Sequence, residues 1–322
     1  MSLNPKATAW LELGLLALLL ALFLWLVKPT APSTESASVP SESAERRFPQ
    51  VEIEAKSAYV YDVSTGKALF EKEAELQWPL ASLTKLMSAL AAKELIPEYM
   101  LVRITSEDLR EEGDTGLLVD EEWKLGKLID YSLVVSSNDG MRALASVAGS
   151  QAGRASTTED GSAQEAFVRK MNEISKRIGL TETYFLNQSG LDVSKTLSGG
   201  YGSAKDMAKL VEYILKTDPH LLEATSYGRT NISSNNATHD ATNTNRSIST
   251  IPNVIASKTG YTDLSGGNVV VAWNAGIGRP IIIAVLGSSY EGRFEDLDKL
   301  VDATVEFFST PATSTPPLDA SL

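Results

Sequence analysis

Cysteine is absent from this chain of 322 residues, histidine occurs twice, and aromatic residues make up only 7%. Without a thiol there is no cysteine nucleophile, no disulfide and no thiolate-bound zinc or iron-sulfur centre. His220 and His239 do not form the H-E-x-x-H pattern of a zinc peptidase, and no G-x-S-x-G elbow is present to start a Ser-His-Asp hydrolase. No metal and no cofactor is therefore expected. Positive charge is also scarce: 29 Lys and Arg against 41 Asp and Glu leave a formal net charge of -12. Such a surface repels phosphate backbones, which excludes nucleic acid as a partner. What is plentiful is apolar content, 43% of the chain, enough for one large domain or two small ones with a buried core.

Residues 9–27 are almost wholly apolar, broken only by Glu12. At 1.5 Å rise per residue they are just long enough to cross hydrocarbon. Val27-Lys28-Pro29-Thr30 is a poor signal-peptidase site, so residues 1–27 are expected to be an uncleaved membrane anchor with a short cytoplasmic end. The rest of the chain is then expected outside the cytoplasm, held to the cell membrane by a single pass. Residues 28–50 are rich in Pro, Ser and Glu without apolar periodicity and read as a flexible linker. Residues 310–322 read as a disordered tail, which leaves a globular body over 51–309.

Within that body, Ser57 to Tyr61 alternates, Ser64-Thr65-Gly66 supplies turn chemistry, and Ala68 to Phe70 resumes an apolar run, predicting a β-hairpin. Three more strand-like runs come late, at 253–257, 268–273 and 280–286. A final amphipathic helix is predicted over 294–308 from apolar spacing of three and four. Helical patterns dominate from Leu80 to His220, including one over 123–135 and another from Met141. The fold class is α/β of the α+β kind: an antiparallel sheet built from both chain ends, with a helical subdomain inserted between them.

Three short strings carry chemistry. Ser82-Leu83-Thr84-Lys85 opens a predicted helix, and residues three apart share a face, so the hydroxyl and the amine can form a nucleophile-base pair. Unpaired amides of the first turn, that of Ser82 included, can stabilise an oxyanion. The bland reading of Ser82 is a helix cap. A second S-x-x-K, Ser64 to Lys67, falls in the predicted hairpin turn, where the two side chains share no face. Ser136-Ser137-Asn138 breaks two helices, and the bland reading is a polar turn. The same S-x-N spacing returns from Ser233 to Asn235 inside a loop-like run. Lys258-Thr259-Gly260 ends a predicted strand and is followed by Tyr261. A lysine charge and a threonine hydroxyl there suit a carboxylate, and Gly260 leaves room for a substrate backbone. The bland reading is a surface lysine beside a turn.

The order S-x-x-K, S-x-N, K-T-G, with flanking segments such as WPLASLTKLMSAL, VVSSNDGMRALA and IPNVIASKTGYTDLSGGNVVVAW, resembles the serine-type D-Ala-D-Ala carboxypeptidases, the low-molecular-mass penicillin-binding proteins. The resemblance covers essentially the whole body. It implies the β-lactamase/transpeptidase-like fold, peptidoglycan stem peptides as substrate and β-lactam antibiotics as acylating inhibitors. By the same resemblance Ser82 is the acylated nucleophile, Lys85 its base, Ser136 a proton relay, and Asn138 a partner of Lys85 and the substrate amide. Lys258 and Thr259 would bind the terminal carboxylate, and the amide of Tyr261 would be the second oxyanion donor. For Lys85 to act, its pKa must drop by roughly 3 units, which burial and the Lys258 cation would supply. Where the family commonly has Asn-Pro-His-Gly-Leu, this chain has Asn187-Gln188-Ser189-Gly190-Leu191, which puts the rigidity of that loop in question.

Three other readings share these residues: a D,D-endopeptidase on crosslinks, a class A β-lactamase, and an inactive peptidoglycan-binding module. The lactamase needs E-x-x-L-N, and here Glu182 stands one residue too far from Asn187. The acidic stretch from Glu107 to Glu122 is expected to be a solvated face near the cleft.

Overall fold

The computed structural model describes residues 46–155 and 162–310. The expected anchor, residues 28–45 of the linker and the tail beyond 310 lie outside the described residues. Among those described, no helix is long and apolar enough to cross a membrane. The packed body reaches back further than expected from the sequence, because the ring of Phe48 lies 5.8 Å from that of Phe70 and 5.7 Å from that of Phe307.

Among the described residues, twelve strands and six α-helices follow in chain order. The strands are β1 (Ser57–Asp62), β2 (Lys67–Lys72), β3 (Trp78–Pro79), β4 (Leu101–Arg103), β5 (Glu122–Lys124) and β6 (Tyr184–Phe185), then β7 (Gly200–Gly202), β8 (Arg229–Ser233), β9 (Thr238–Thr242), β10 (Val254–Thr262), β11 (Gly266–Asn274) and β12 (Pro280–Ser288). The helices are α1 (Thr84–Leu95), α2 (Leu125–Val134), α3 (Asn138–Ala155), α4 (Ala163–Ile178), α5 (Ala204–Thr217) and α6 (Gly292–Ser309).

The main sheet has the order β10-β11-β12-β1-β2, so both ends of the body meet in it as expected. All its pairings are antiparallel, with Ser57 opposite Leu286 and Lys258 opposite Val270. Asp62 starts the first hairpin turn by accepting the amide of Ser64 at 2.9 Å through its side chain and that of Gly66 at 2.9 Å through its carbonyl. The second S-x-x-K is part of this turn, apart from the chemistry described below.

The central strands read as continuous apolar runs because both sheet faces are covered. Val269, Val271, Ile281, Ile283 and Val285 pack with Leu297, Leu300 and Val301 of α6. Their neighbours Val270, Ala272, Ile282, Ala284 and Leu286 belong to the larger core shared with α1 and α5. Each of the Val, Leu and Ile side chains among them, fully buried, contributes roughly 1.5–3 kcal/mol. In helix α1 every residue from Thr84 to Ala92 is buried. Its Ala and Ser positions let it run through the middle of the molecule, wrapped on all sides.

Three predicted boundaries shift. Lys258-Thr259-Gly260 lies inside β10, which continues to Thr262. Trp123, expected in a helix, pairs with Val102 in the small β4–β5 ladder, and α2 begins at Leu125. Helix α3 starts at Asn138, three residues before the predicted Met141.

Candidate active site

Ser82 sits in a single 3-10 turn, Ala81–Leu83, that feeds directly into α1. The residue before it, Ala81, has φ +47°, a left-handed conformation that costs a non-glycine residue and is held here by full burial. The capping reading fails: neither the turn nor α1 has a side-chain cap. The Ser82 hydroxyl instead accepts a 2.7 Å hydrogen bond from Lys85 Nζ. The same amine donates to Asn138 Oδ1 at 2.7 Å and to the carbonyl of Ser189 at 2.8 Å, which uses all three of its protons when charged.

Lys85 is fully buried. Burial lowers its pKa to about 7, against the opposing pull of the Glu111 carboxylate. The lowering expected from Lys258 is not part of this balance. Its effect appears on Lys258 itself, which is pushed well below the usual lysine range by burial first, then by the Lys85 and Arg293 cations. The site therefore disfavours having both lysines charged at once.

Lys258 is 1% exposed, which rules out the surface-lysine reading. Its amine donates to Ser136 Oγ at 2.9 Å and to the carbonyl of Thr259 at 2.8 Å. Ser136 itself is left-handed, with φ +62°, and that turn aims its hydroxyl at β10 while Asn138, two residues on, faces Lys85. Thr259 Oγ1 meets Thr244 Oγ1 at 2.6 Å. Gly260 backs onto the nucleophile turn: a β-carbon there would stand 2.9 Å from the Leu80 carbonyl oxygen and 3.0 Å from the Ser82 nitrogen. The missing side chain thus makes room for the protein's own turn, where the sequence suggested room for substrate. Tyr261 projects outward, 47% exposed, with its ring edge-on to Tyr290 at 5.0 Å.

Two contributions were invisible in the sequence strings. Arg293, at the start of α6, is buried and donates to the Gly260 carbonyl at 2.7 Å, with its guanidinium 4.6 Å from the Tyr290 ring and 4.7 Å from that of Phe294. Burial, chiefly, holds it below the usual arginine value. The second is the loop from Asn187 to Asp192. The side chain of Asn187 accepts the amide of Gly190 at 2.7 Å and that of Ser189 at 3.2 Å, and donates to the Leu191 carbonyl at 2.8 Å. Asp192 then accepts from Thr262 Oγ1 at 3.1 Å. These bonds supply the order that proline would otherwise give, and they hold the Ser189 carbonyl on Lys85.

The acidic stretch corrects another expectation. Glu112 and Asp114 are exposed, but Asp108 and Glu121 are buried, and the segment runs as a strap over the Ser136–Asn138 turn. The Glu112 carbonyl accepts Asn138 Nδ2 at 2.6 Å, and Glu111 pairs with Arg142 at 2.7 Å. Beneath it, Asp139 is pushed up to about 6 by burial, then by Asp114, Glu111 and Asp108. Glu182 hydrogen-bonds through its main chain to Gln77 and Asp206, and none of the bonds to Ser82 or Lys85 involves it. The later Ser233-Ser234-Asn235 lies at the tip of the β8–β9 hairpin.

A serine at a helix start bonded to a buried lysine, an Asn-bearing turn and a Lys-Thr-Gly edge strand, on a sheet flanked by helices, define a chain with the fold of penicillin-binding proteins and D,D-transpeptidases. The chain belongs to the D-alanyl-D-alanine carboxypeptidase family, whose model matches residues 41–289. It is 29% identical over 273 residues to the D-alanyl-D-alanine carboxypeptidase DacF of Bacillus subtilis, covering 82% of this chain and 66% of that one. With DacA of Escherichia coli it shares 27% identity over 274 residues, covering 80% and 62%. The chain thus spans just under two thirds of the length of these curated relatives. Among solved structures, penicillin-binding protein D2 of Listeria monocytogenes in its ampicillin-bound form matches with a TM-score of 0.63 and 26% identity, covering 80% of this chain and 99% of that one.

Proposed function

We propose that this chain is a serine-type D-alanyl-D-alanine carboxypeptidase that removes the terminal D-Ala from peptidoglycan stem peptides through an acyl-enzyme on Ser82. The observation that carries the reading is the 2.7 Å bond between Lys85 Nζ and Ser82 Oγ, made by an amine whose burial brings its pKa to about 7. A base poised at that value is neutral in a large fraction of molecules at physiological pH and can take the serine proton.

In this reading Ser82 Oγ attacks the carbonyl of the penultimate D-Ala and its proton passes to Lys85. The oxyanion is met by the amides of Ser82 and Tyr261, and Asn138 holds the substrate amide. Thr259, with the buried amine of Lys258 behind it, receives the terminal carboxylate. The C–N bond then breaks as the leaving amine takes the proton that Lys85 gained, relayed through the hydroxyl of Ser136, which is bonded to Lys258, and Lys85 becomes neutral again. Water, deprotonated by the same lysine base, hydrolyses the ester and restores Ser82. β-Lactams would acylate the same oxygen, in keeping with the ampicillin complex of the Listeria relative. The proposal includes attachment to the cell membrane through residues 9–27, with the body on the outer side.

The test is to incubate the full chain with benzylpenicillin and record intact mass, with Ser82→Ala as control, then to assay D-Ala release from a pentapeptide. An adduct lost in the mutant, followed by D-Ala release, is expected. Cleavage confined to crosslinked muropeptides would assign a D,D-endopeptidase instead. Hydrolysed penicillin without adduct would assign a lactamase, and inert protein would sink the enzyme reading. Fractionation with and without residues 1–27 tests the anchor, and a fully soluble intact chain would refute it.

A further inference from the structure

The amide of Asn138 has a polarity that the protein must set. Its oxygen faces the Lys85 amine at 2.7 Å while its nitrogen donates to the Glu112 carbonyl at 2.6 Å. A flip of this group would point an N–H donor at a lysine donor and an oxygen at a carbonyl oxygen, losing both bonds. The Glu112 carbonyl is thus what distinguishes the two ends of the amide, yet it belongs to a strap whose only helical turn is at Asp108–Arg110. Something must fix that strap beside the turn.

The fixing point is Thr115. Gly113 and Gly116 on either side have φ +96° and +87°, conformations that let the chain fold inward at this one residue. Its hydroxyl meets Ser137 Oγ at 2.7 Å, and its carbonyl accepts from the hydroxyl of Tyr131. Ser137 is fully buried and its oxygen also accepts the amide of Gly140 at 3.0 Å, capping the first turn of α3, which starts at Asn138. The ring of Tyr131 in turn packs against Trp123 and His239 at 5.3 and 5.1 Å. His239 Nε2 and Ser234 Oγ each lie 2.6 Å from Glu121 Oε1 at the strap's far end. The middle residue of the S-x-N string is therefore a joint between the strap and the catalytic turn.

We infer that Thr115 and Ser137 are positioning residues for the reaction, acting through Glu112 and Asn138 to hold Lys85 against Ser82. Neither side chain touches Ser82 or Lys85 in the hydrogen-bond network. The role rests on the acyl-serine reading above and concerns how its base is aimed.

The experiment measures acylation of the full chain by a fluorescent penicillin under stopped flow, where concentration dependence separates non-covalent binding from the acylation step. Thr115→Val is expected to lower the acylation constant roughly five- to tenfold, the worth of about one neutral hydrogen bond, with the binding constant unchanged. Thr115→Ser should restore the rate. Ser137→Ala, which also removes the acceptor of the Gly140 amide, should lose at least as much, and the double variant should lose no more than Ser137→Ala alone, since the Thr115–Ser137 bond is already gone. Lys205→Ala, at an exposed ion pair with Glu75, serves as the unaffected control. Additive losses, no rescue by serine, or a rate that falls only in proportion to unfolded protein would overturn the inference. If the wild type proves not to be acylated, crystal structures still decide: an Asn138 Oδ1 to Lys85 Nζ separation beyond about 3.5 Å in Thr115→Val supports the role, and an unchanged contact refutes it.

Discussion

Gly260 and Ser82 share one small space: a β-carbon built on the glycine would reach to 3.0 Å from the serine amide nitrogen. The edge strand and the nucleophile turn therefore touch main chain to main chain. Gly260→Ala must push the turn or the strand away, at a cost of about 1–3 kcal/mol, and must move the proposed oxyanion donor with it. The expected outcome is a lowered urea midpoint together with a loss of penicillin acylation larger than the unfolded fraction explains. A variant with wild-type acylation and midpoint would show that the turn yields without consequence.

Glu111 raises the Lys85 pKa against the larger effect of burial. Glu111→Gln removes a negative charge that favours the protonated amine, so the amine should lose its proton at lower pH. The acid limb of acylation, set near pH 7 in the wild type, is expected to move downward. Rates measured from pH 5 to pH 9 decide it, and an upward or absent movement would contradict the assignment of this limb to Lys85.

A buried amine also links pH to stability. Lys85 is lowered in the folded protein to about 7 but keeps an ordinary lysine value near 10.4 when unfolded. Between those values the unfolded chain binds more protons at this group, so its contribution to stability rises as pH rises from about 7 toward 10. Below about 7 both states are protonated and the contribution is at its minimum. Unfolding by urea at pH 7 and pH 9, in wild type and Lys85→Met, should show the difference moving in favour of the wild type at the higher pH.

The carboxylate of Asp296 is wholly buried and accepts the amides of Glu54 and Ala55 at 2.9 Å each and the hydroxyl of Ser288 at 2.8 Å. Asp296→Ala leaves these donors without a partner inside the protein. A loss of about 2–4 kcal/mol is expected from equilibrium unfolding, with hydrogen exchange rising first in residues 52–56. A loss below about 1 kcal/mol would mean that water replaces the carboxylate.

Much of this fold was legible because its central strands are covered on both faces and its terminal helix on one, so apolar runs and spacing wrote themselves into β11, β12 and α6. Trp123 was misassigned because its apolar neighbours fit a helical period, while its pairing opposite Val102 depends on a strand distant in the pattern. The reacting residues were legible from order and spacing, since Ser82 and Lys85 need only one helical turn to meet. The Arg293 contact was not, because nothing local to α6 announces the Gly260 carbonyl that it reaches across the sheet edge. The strap was misread for a related reason. Its acidic side chains suggested solvent, whereas its function of holding the Asn138 turn is carried by carbonyls and a threonine hydroxyl, groups that composition does not weigh.

The pairing of β1 with β12 has a consequence for how the molecule is made. Strand β1 leaves the synthetic machinery among the first parts of the body, yet Ser57 finds its partner only when Leu286 follows. Until then one long flank of β1 has no neighbour, and the apolar face it will bury is bare. Closure of the sheet, which also brings Lys258 beside Ser136, is therefore a late and high-contact-order event. A nascent chain of this design is exposed to wrong pairings until β12 has emerged, and its catalytic centre cannot form before β10 has joined the sheet.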